Sequence, residues 1–392
     1  MDAIAEGLSP ELKEDRTEHD VGEIFRLFGP EYEQRYSMNS CQRKVLRALA
    51  VCRTAYLGGH LEQCDHCGFE RPHYNSCRNV NCPKCQGIQR RKWVNARLDE
   101  MLPVPYFHVV FTVPSFISET LTGRDETLYR ILFRASSQTL LHFFKSRYGG
   151  EPGLISVLHT WGQTMSRHPH VHFLVTGGCL SLDGSRWIST GDRYLFDVKE
   201  LSKDFRKRFL KGLKKANVTV EDGVNEEEDW VVYCQKPFAG AARVIEYLGR
   251  YTYRTAISNR RIKSVSESEV IFDYKDYRDG DENGVPKHKL MSVDGVTFIR
   301  LFLQHILPSR FKRIRYYGIL GGNQREKKLK RCREILSCLV PEESLERLDE
   351  ESSKTILCPQ CGQGELMAIL NLEPIRPPPI TFANERVRKH VA

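Results

Sequence analysis

The stretch Arg167-His168-Pro169-His170-Val171-His172-Phe173-Leu174-Val175 sets two imidazoles on either side of one hydrophobic residue within an apolar run. In an extended chain residues i and i+2 share a face. This spacing therefore predicts a strand with His170 and His172 side by side and Val171 turned into the core behind them. Two adjacent imidazoles are a pair of ligands for one divalent cation, or two histidines satisfied by hydrogen bonds, and the motif alone does not separate the two.

The neighbouring sequence supplies the sheet. YFHVVFTV at 106–113 and LISVLHTW at 154–161 are dense in β-branched and aromatic residues, and antiparallel pairing with HVHFLVTGG at 170–178 is the simplest geometry. An amphipathic helix is expected from about Glu119 to Tyr148, stopped by Gly149 and Gly150. Helical spacing recurs in GEIFRLFGPEYEQRY, CQRKVLRALAVCR, QRRKWVNARLDEM, a basic stretch at 200–216, GAARVIEYLGRYTYRTA and TFIRLFLQHIL, and strand-like pieces occupy about 262–297. The fold class is α+β.

At 392 residues the chain is long enough for two or three domains. Its formal net charge of +9 is unevenly spread. Residues 203–215 carry Lys203, Arg206, Lys207, Arg208, Lys211, Lys214 and Lys215 against Asp204 alone, and a second basic run covers 310–333 with Glu326 as its only acid. A single run is usually a solvated helix face; two of one sign point to nucleic acid. No segment approaches the roughly 18 to 20 apolar residues of a membrane span, and the acidic N-terminus lacks a signal-peptide core. A cytoplasmic protein is expected, without a membrane partner, in a compartment where its 13 cysteines stay reduced.

Close cysteine pairs then read as metal ligands. Cys64-Asp-His-Cys67 and Cys82-Pro-Lys-Cys85, fourteen residues apart, have the spacing of one tetrahedral structural zinc. Cys52, His60, His73 and Cys77 in the same block are candidates for a second site or for groups supporting the first. A third pair, Cys358 and Cys361, has only Cys332 and Cys338 as nearby thiols.

Tyr247-Leu-Gly-Arg-Tyr251 places two phenols one helical turn apart, able to serve as covalent nucleophiles beside Arg250, Arg254, Asn259, Arg260 and Arg261, which suit phosphate or base contacts. The same spacing is also found in packing stripes.

Four segments taken together, CDHCG…YNSCRNVNCPKCQG, VPYFHVVFTVP, HTWGQ…HPHVHFLV and YLGRYTYRTAISNRR, resemble the two-tyrosine HUH transposases of rolling-circle insertion sequences, the IS91 group. The likeness runs in order from about residue 20 to 365. It departs from the group at Asn81 and Tyr253, where histidines are common. It implies an HUH domain with a central antiparallel sheet and flanking helices, preceded by a Cys-rich zinc-binding module. The activity implied is metal-dependent cleavage and strand transfer of single-stranded DNA, at element ends and target, through a 5′-phosphotyrosine. Tyr247 and Tyr251 would be the nucleophiles. His170 and His172 would hold Mg²⁺ or Mn²⁺ with Gln163 as first choice of third ligand and His159 as second.

The expected division is a loosely ordered 1–20, a zinc-binding and DNA-binding domain at 21–101, the HUH domain at 102–320, a basic segment with the last knuckle at 321–370, and a Pro-rich tail at 371–392. Localisation would be bacterial and cytoplasmic, with nucleoid association during action. A plasmid replication initiator or relaxase shares the chemistry, and a non-catalytic zinc-finger regulator shares the DNA-binding features.

Overall fold

The computed structural model describes residues 17–98, 100–191, 195–219, 230–238, 249, 254–281, 285–337 and 357–375. In chain order these form helices α1 (Val21–Arg35) and α2 (Ser40–Ala50), strands β1 (Gly59–Cys64) and β2 (Glu70–Tyr74), α3 (Gln86–Leu98), β3 (Tyr106–Thr112), α4 (Ser115–Thr120) and α5 (Asp125–Tyr148). Then come β4 (Gly150–Trp161), β5 (Arg167–Ser181), β6 (Trp187–Ser189), α6 (Val198–Lys215), β7 (Val232–Phe238), β8 (Ile262–Val265), β9 (Glu269–Gly280) and β10 (Pro286–Asp294). A helix at Gly295–Leu303, β11 (Ile314–Gly318), a helix at Arg325–Ser337 and β12 (Leu366–Leu372) complete the order. No helix among the described residues is long and apolar enough to cross a membrane.

The chain divides into two compact units, each assembled from separated segments. The first combines the described residues up to Gly87, those of Arg254–Ile306 and those from 357 onward; the second holds those of Ile88–Tyr253 and Leu307–Glu350. This division is interleaved along the sequence, whereas the domains expected from it are contiguous. The physical reason lies in the strand pairing: β12 hydrogen-bonds to β1, near the other end of the chain, and long-range pairing of this kind leaves no trace in local periodicity.

In the first unit α1 and α2 each start with a reciprocal capping box, Asp20 with Glu23 and Asn39 with Gln42. Their buried Ile24, Phe25, Phe28, Leu46 and Leu49 meet Phe298, Ile299 and Phe302, with Phe25 edge-on to Phe302 at 5.3 Å. Strands β8, β9 and β10 form one antiparallel sheet, and β12-β1-β2 another.

The second unit is built on a sheet of order β11-β4-β5-β3-β7, antiparallel at every pairing, with β6 beside β5. Period-2 alternation sorts its residues cleanly. Phe107, Val109, Phe111, Leu154, Leu158, Val171, Phe173 and Val175 face a core closed by α5 and α6. Ile155 and Leu174 face the opposite way, into a second core with Val94 of α3 and Leu329, Cys332 and Leu336 of the Arg325–Ser337 helix. The long helix expected from Glu119 is split into α4 and α5, and Gly149 ends it in the left-handed region at φ 64°, donating its N–H to Lys145 O.

Candidate metal centres

Register places the histidines. β4 pairs with β5 so that His159 lies opposite His170, and β3 pairs with β5 so that Val110 lies opposite His172. Opposed residues share a face, so His159, His170 and His172 project together from the side of the sheet that carries Ile155 and Leu174. One nitrogen from each of the three falls within 4.8 Å of the others. The imidazole that joins the pair is thus His159, the second choice of the sequence reading. Gln163 lies in the turn between β4 and β5.

The ring nitrogens are fixed from behind. His170 Nδ1 is 2.7 Å from the carbonyl oxygen of His168; a carbonyl only accepts, so Nδ1 carries the hydrogen and Nε2 is the basic atom. His172 Nδ1 is 2.8 Å from Nε2 of His108 on β3, and the two rings stack at an angle of 6°. Burial pushes His108 down to about 4, opposed by its hydrogen bond to Gln235, so the ring is neutral near pH 7. One hydrogen lies between His108 Nε2 and His172 Nδ1, and the other nitrogen of His172, Nε2, is the one left to meet a cation. On the outer side Trp161 stacks on His159 at 4.9 Å, and the Arg313 guanidinium lies 5.9 Å from the centre of the indole. Arg313 belongs to the basic run expected to meet nucleic acid, whereas His108 and Trp161 were not foreseen; His108 shares the period-2 face of β3, the one signal that could have flagged it.

The cysteines form two clusters, and the first two knuckles, expected to share one zinc, fall in different ones. Cys82 and Cys85 gather with Cys52 and Cys77, with Sγ–Sγ separations of 3.6 Å for Cys52–Cys85, 3.6 Å for Cys52–Cys82 and 3.7 Å for Cys77–Cys85. Cys64 and Cys67 gather instead with Cys358 and Cys361, at 3.8 Å for Cys64–Cys361 and 3.6 Å for Cys67–Cys358. A tetrahedron with Zn–S bonds of about 2.3 Å has edges of about 3.8 Å, so both clusters have the size zinc requires.

The partner of the third knuckle is the first, for a local reason. Cys64-x2-Cys67-Gly68 and Cys358-x2-Cys361-Gly362 are the same turn twice, with both glycines in the left-handed region, at φ 73° and 67°. Gly68 donates to Cys64 O and Gly362 to Cys358 O. The two turns are tied by Asp65, whose carboxylate accepts from Glu365 N at 2.8 Å and whose N–H donates to Glu365 O. Cys332 is buried in the apolar core between the helix Arg325–Ser337 and the sheet; Cys338, nearer in sequence, lies outside the described residues. His60 and His73 lie apart from both clusters, stacked on each other and hydrogen-bonded to Glu62.

With this geometry in place the comparisons become decisive. Residues 153–328 match the family model described as "Putative transposase", and residues 24–113 match the one described as "Transposase zinc-binding domain". A protein of Sinorhizobium fredii named "Putative transposase y4qJ" is 40% identical over 93% of this chain and 98% of its own length. The "Transposase for insertion sequence element IS801" of Pseudomonas savastanoi pv. phaseolicola is 24% identical over 76% of this chain and 75% of its own. No solved structure matches the chain.

The chain belongs to the IS91-group transposases.

In this transposase the matched zinc-binding domain contains six of the eight clustered cysteines, and Cys358 and Cys361 lie beyond it. Tyr247, Tyr251, Tyr253 and Arg250 lie outside the described residues. Between the two tyrosines Gly249 is described: it is helical and buried, and a Cβ there would lie 2.5 Å from Val94 of α3. Val94 belongs to the core on the histidine side of the sheet.

The polar residues expected to touch DNA divide into two groups. Asn259 is buried and accepts from Val21 N at 3.2 Å. Arg261 is half-buried, donates to Asp273 O at 2.8 Å and lies over the Phe272 ring. Both therefore make contacts within the first unit. Arg254 and Arg260 are exposed.

Proposed function

We propose that this transposase cleaves and rejoins single-stranded DNA at element ends and target through a 5′-phosphotyrosine intermediate, at the centre formed by His159, His170 and His172. The observation that carries the reading is the convergence of three imidazole nitrogens within 4.8 Å on one sheet face. Three neutral nitrogen donors fit a divalent cation, and they suit Mn²⁺ better than Mg²⁺, which prefers oxygen. A bound cation would polarise a non-bridging oxygen of the scissile phosphate and stabilise the charge that develops there.

The protein's own groups do the rest. His168 O and His108 hold His170 and His172 in the tautomers that leave each Nε2 basic. Arg313, held over Trp161, is suited to neutralise the phosphate entering beside His159. Tyr247 or Tyr251 is the nucleophile: its oxygen bonds to phosphorus as the bond to the 3′ oxygen breaks, the phenol loses its proton, and the 3′-hydroxyl leaves with one. The energy of the phosphodiester is retained in the phosphotyrosine, so rejoining requires no ATP. The close approach of Gly249 to Val94 supports an arrangement in which the tyrosine frame serves this face of the sheet.

The test is a denaturing gel of protein incubated with end-labelled single-stranded DNA and Mn²⁺ or Mg²⁺. A covalent adduct is expected, lost in the Tyr247→Phe/Tyr251→Phe double variant and kept in Tyr253→Phe. An adduct that survives the double variant assigns the nucleophile elsewhere, and no adduct with any element-end strand rejects the mechanism.

A further inference from the structure

The sequence of α6 alternates two ridges. Leu201, Phe205, Phe209 and Leu213 recur every fourth residue and are buried against the sheet, with the Phe205 ring 4.9 Å from Phe111. Lys199, Lys203, Lys207, Lys211 and Lys215 also recur every fourth residue, displaced by two positions, and all five are exposed. Two positions on an α-helix are about 200°, so at each level a lysine stands opposite a buried side chain. The ridge runs about 24 Å along the helix, at roughly 6 Å per lysine.

This arrangement is unfavourable in the isolated protein, because like charges at i and i+4 repel one another. The carboxylates of the same helix do not relieve it. Glu200 is ion-paired to Arg147 of α5, and Asp204 to Arg208 at 2.5 Å. Among the described residues no ion pair engages the five lysines. A polyanion lying along the ridge would turn the repulsion into attraction.

The side of the sheet matters most. α6 covers the face carrying Phe111, Val171 and Phe173, whereas His159, His170 and His172 project from the other face. The lysines are thus separated from the histidines by the sheet and a helix about 10–12 Å across. We propose that the lysine ridge of α6 is a second nucleic-acid site, which binds the phosphate backbone of a DNA segment other than the one cleaved. This rests on the reading of the histidine face as the cleavage centre. It gives the transposase separate seats for two DNA segments, as strand transfer between them requires.

The experiment uses the full chain with Lys203, Lys207, Lys211 and Lys215 all changed to Gln. Binding to a 30-base-pair duplex and to a 30-nucleotide single strand is measured against salt, with and without His170→Ala/His172→Ala and without divalent metal, so that cleavage plays no part. If the duplex occupies the ridge, its slope of log K against log salt falls by about 3.6; a single strand there lowers its own slope by about 2.8. Cleavage of a short oligonucleotide spanning only the scissile site stays within twofold of wild type. The melting temperature is not lowered, since glutamine keeps the helix and removes the repulsion. Unchanged slopes for both DNAs would show the ridge to be a solvated surface and overturn the proposal. So would a matched loss of binding and of short-oligonucleotide cleavage, since the ridge would then be serving the cleaved strand itself. Failure of all cleavage in wild type with the slopes shifted as expected would overturn the centre and leave the ridge standing as a DNA site.

Discussion

His108 Nε2 and His172 Nδ1 face each other at 2.8 Å between parallel rings, one on β3 and one on β5. A buried pair of this kind holds one proton between two nitrogens, and binding of a cation at His172 Nε2 requires that His172 supply it. His108 is therefore a positioning residue. His108→Ala is expected to weaken Mn²⁺ binding about 10- to 100-fold, as loss of a group behind a ligating histidine commonly does. His108→Gln, which can still accept from Nδ1, recovers part of that loss. Titration of Mn²⁺ followed by electron paramagnetic resonance reads this without cleavage, and equal affinities in His108→Ala and wild type would remove the role.

The third ligand separates two residues on neighbouring elements. His159→Ala is expected to lose Mn²⁺ binding as completely as His170→Ala or His172→Ala, while Gln163→Ala keeps measurable affinity. Calorimetric titration of the four variants decides it. The reverse order, with Gln163→Ala the more damaging, would return the third position to the turn.

Elemental analysis of the purified protein is expected to find two zinc ions per chain. Cys52→Ser and Cys358→Ser should each lose one, from different clusters, whereas Cys332→Ser keeps both. One zinc per chain in the wild type, absent from both Cys64→Ser and Cys82→Ser, would restore the one-site grouping of the first two knuckles. Removal of zinc from the Cys64 cluster should also free β12 from β1, visible as faster amide exchange in both strands, because metal binding and folding are coupled there.

Gly249→Ala tests the seat of the tyrosine frame. Its Cβ would lie 2.5 Å from a Val94 methyl, closer than real contacts allow, and a β-branched side chain gives way poorly. Overpacking of this kind costs about 1–3 kcal/mol. Thermal melting should show it, together with a fall in adduct yield greater than the fall in DNA binding. The double variant Gly249→Ala/Val94→Ala should recover yield.

What could be read from the sequence was what repeats at short range. The period-2 runs of β3, β4 and β5 and the shared face of His170 and His172 needed no more than alternation. His159 could be assigned only once the β4–β5 register set it opposite His170, because sequence gives a hairpin's strands more readily than its alignment. Cys82 and Cys85 were recognisable as ligands, but their partners were not: Cys52 and Cys77 lack C-x2-C spacing. Cys67 and Cys358 are 291 residues apart. Asn259 is the opposite case. Its polarity suggested a DNA contact, while its neighbourhood, a buried backbone N–H of Val21, is set by tertiary packing alone.

The knuckle shared by Cys64, Cys67, Cys358 and Cys361 also imposes an order on synthesis. A ribosome adding about 5–20 residues per second takes roughly 15 to 60 s to pass from Cys67 to Cys358. Through that interval the first two thiols have been made and their partners have not, so β1 lacks its β12 neighbour until residues 366–372 follow. A nascent chain interrupted between Cys85 and Cys358 carries all four thiols of the first zinc cluster without the second. The finished cluster is thus a mark that synthesis has passed Cys361.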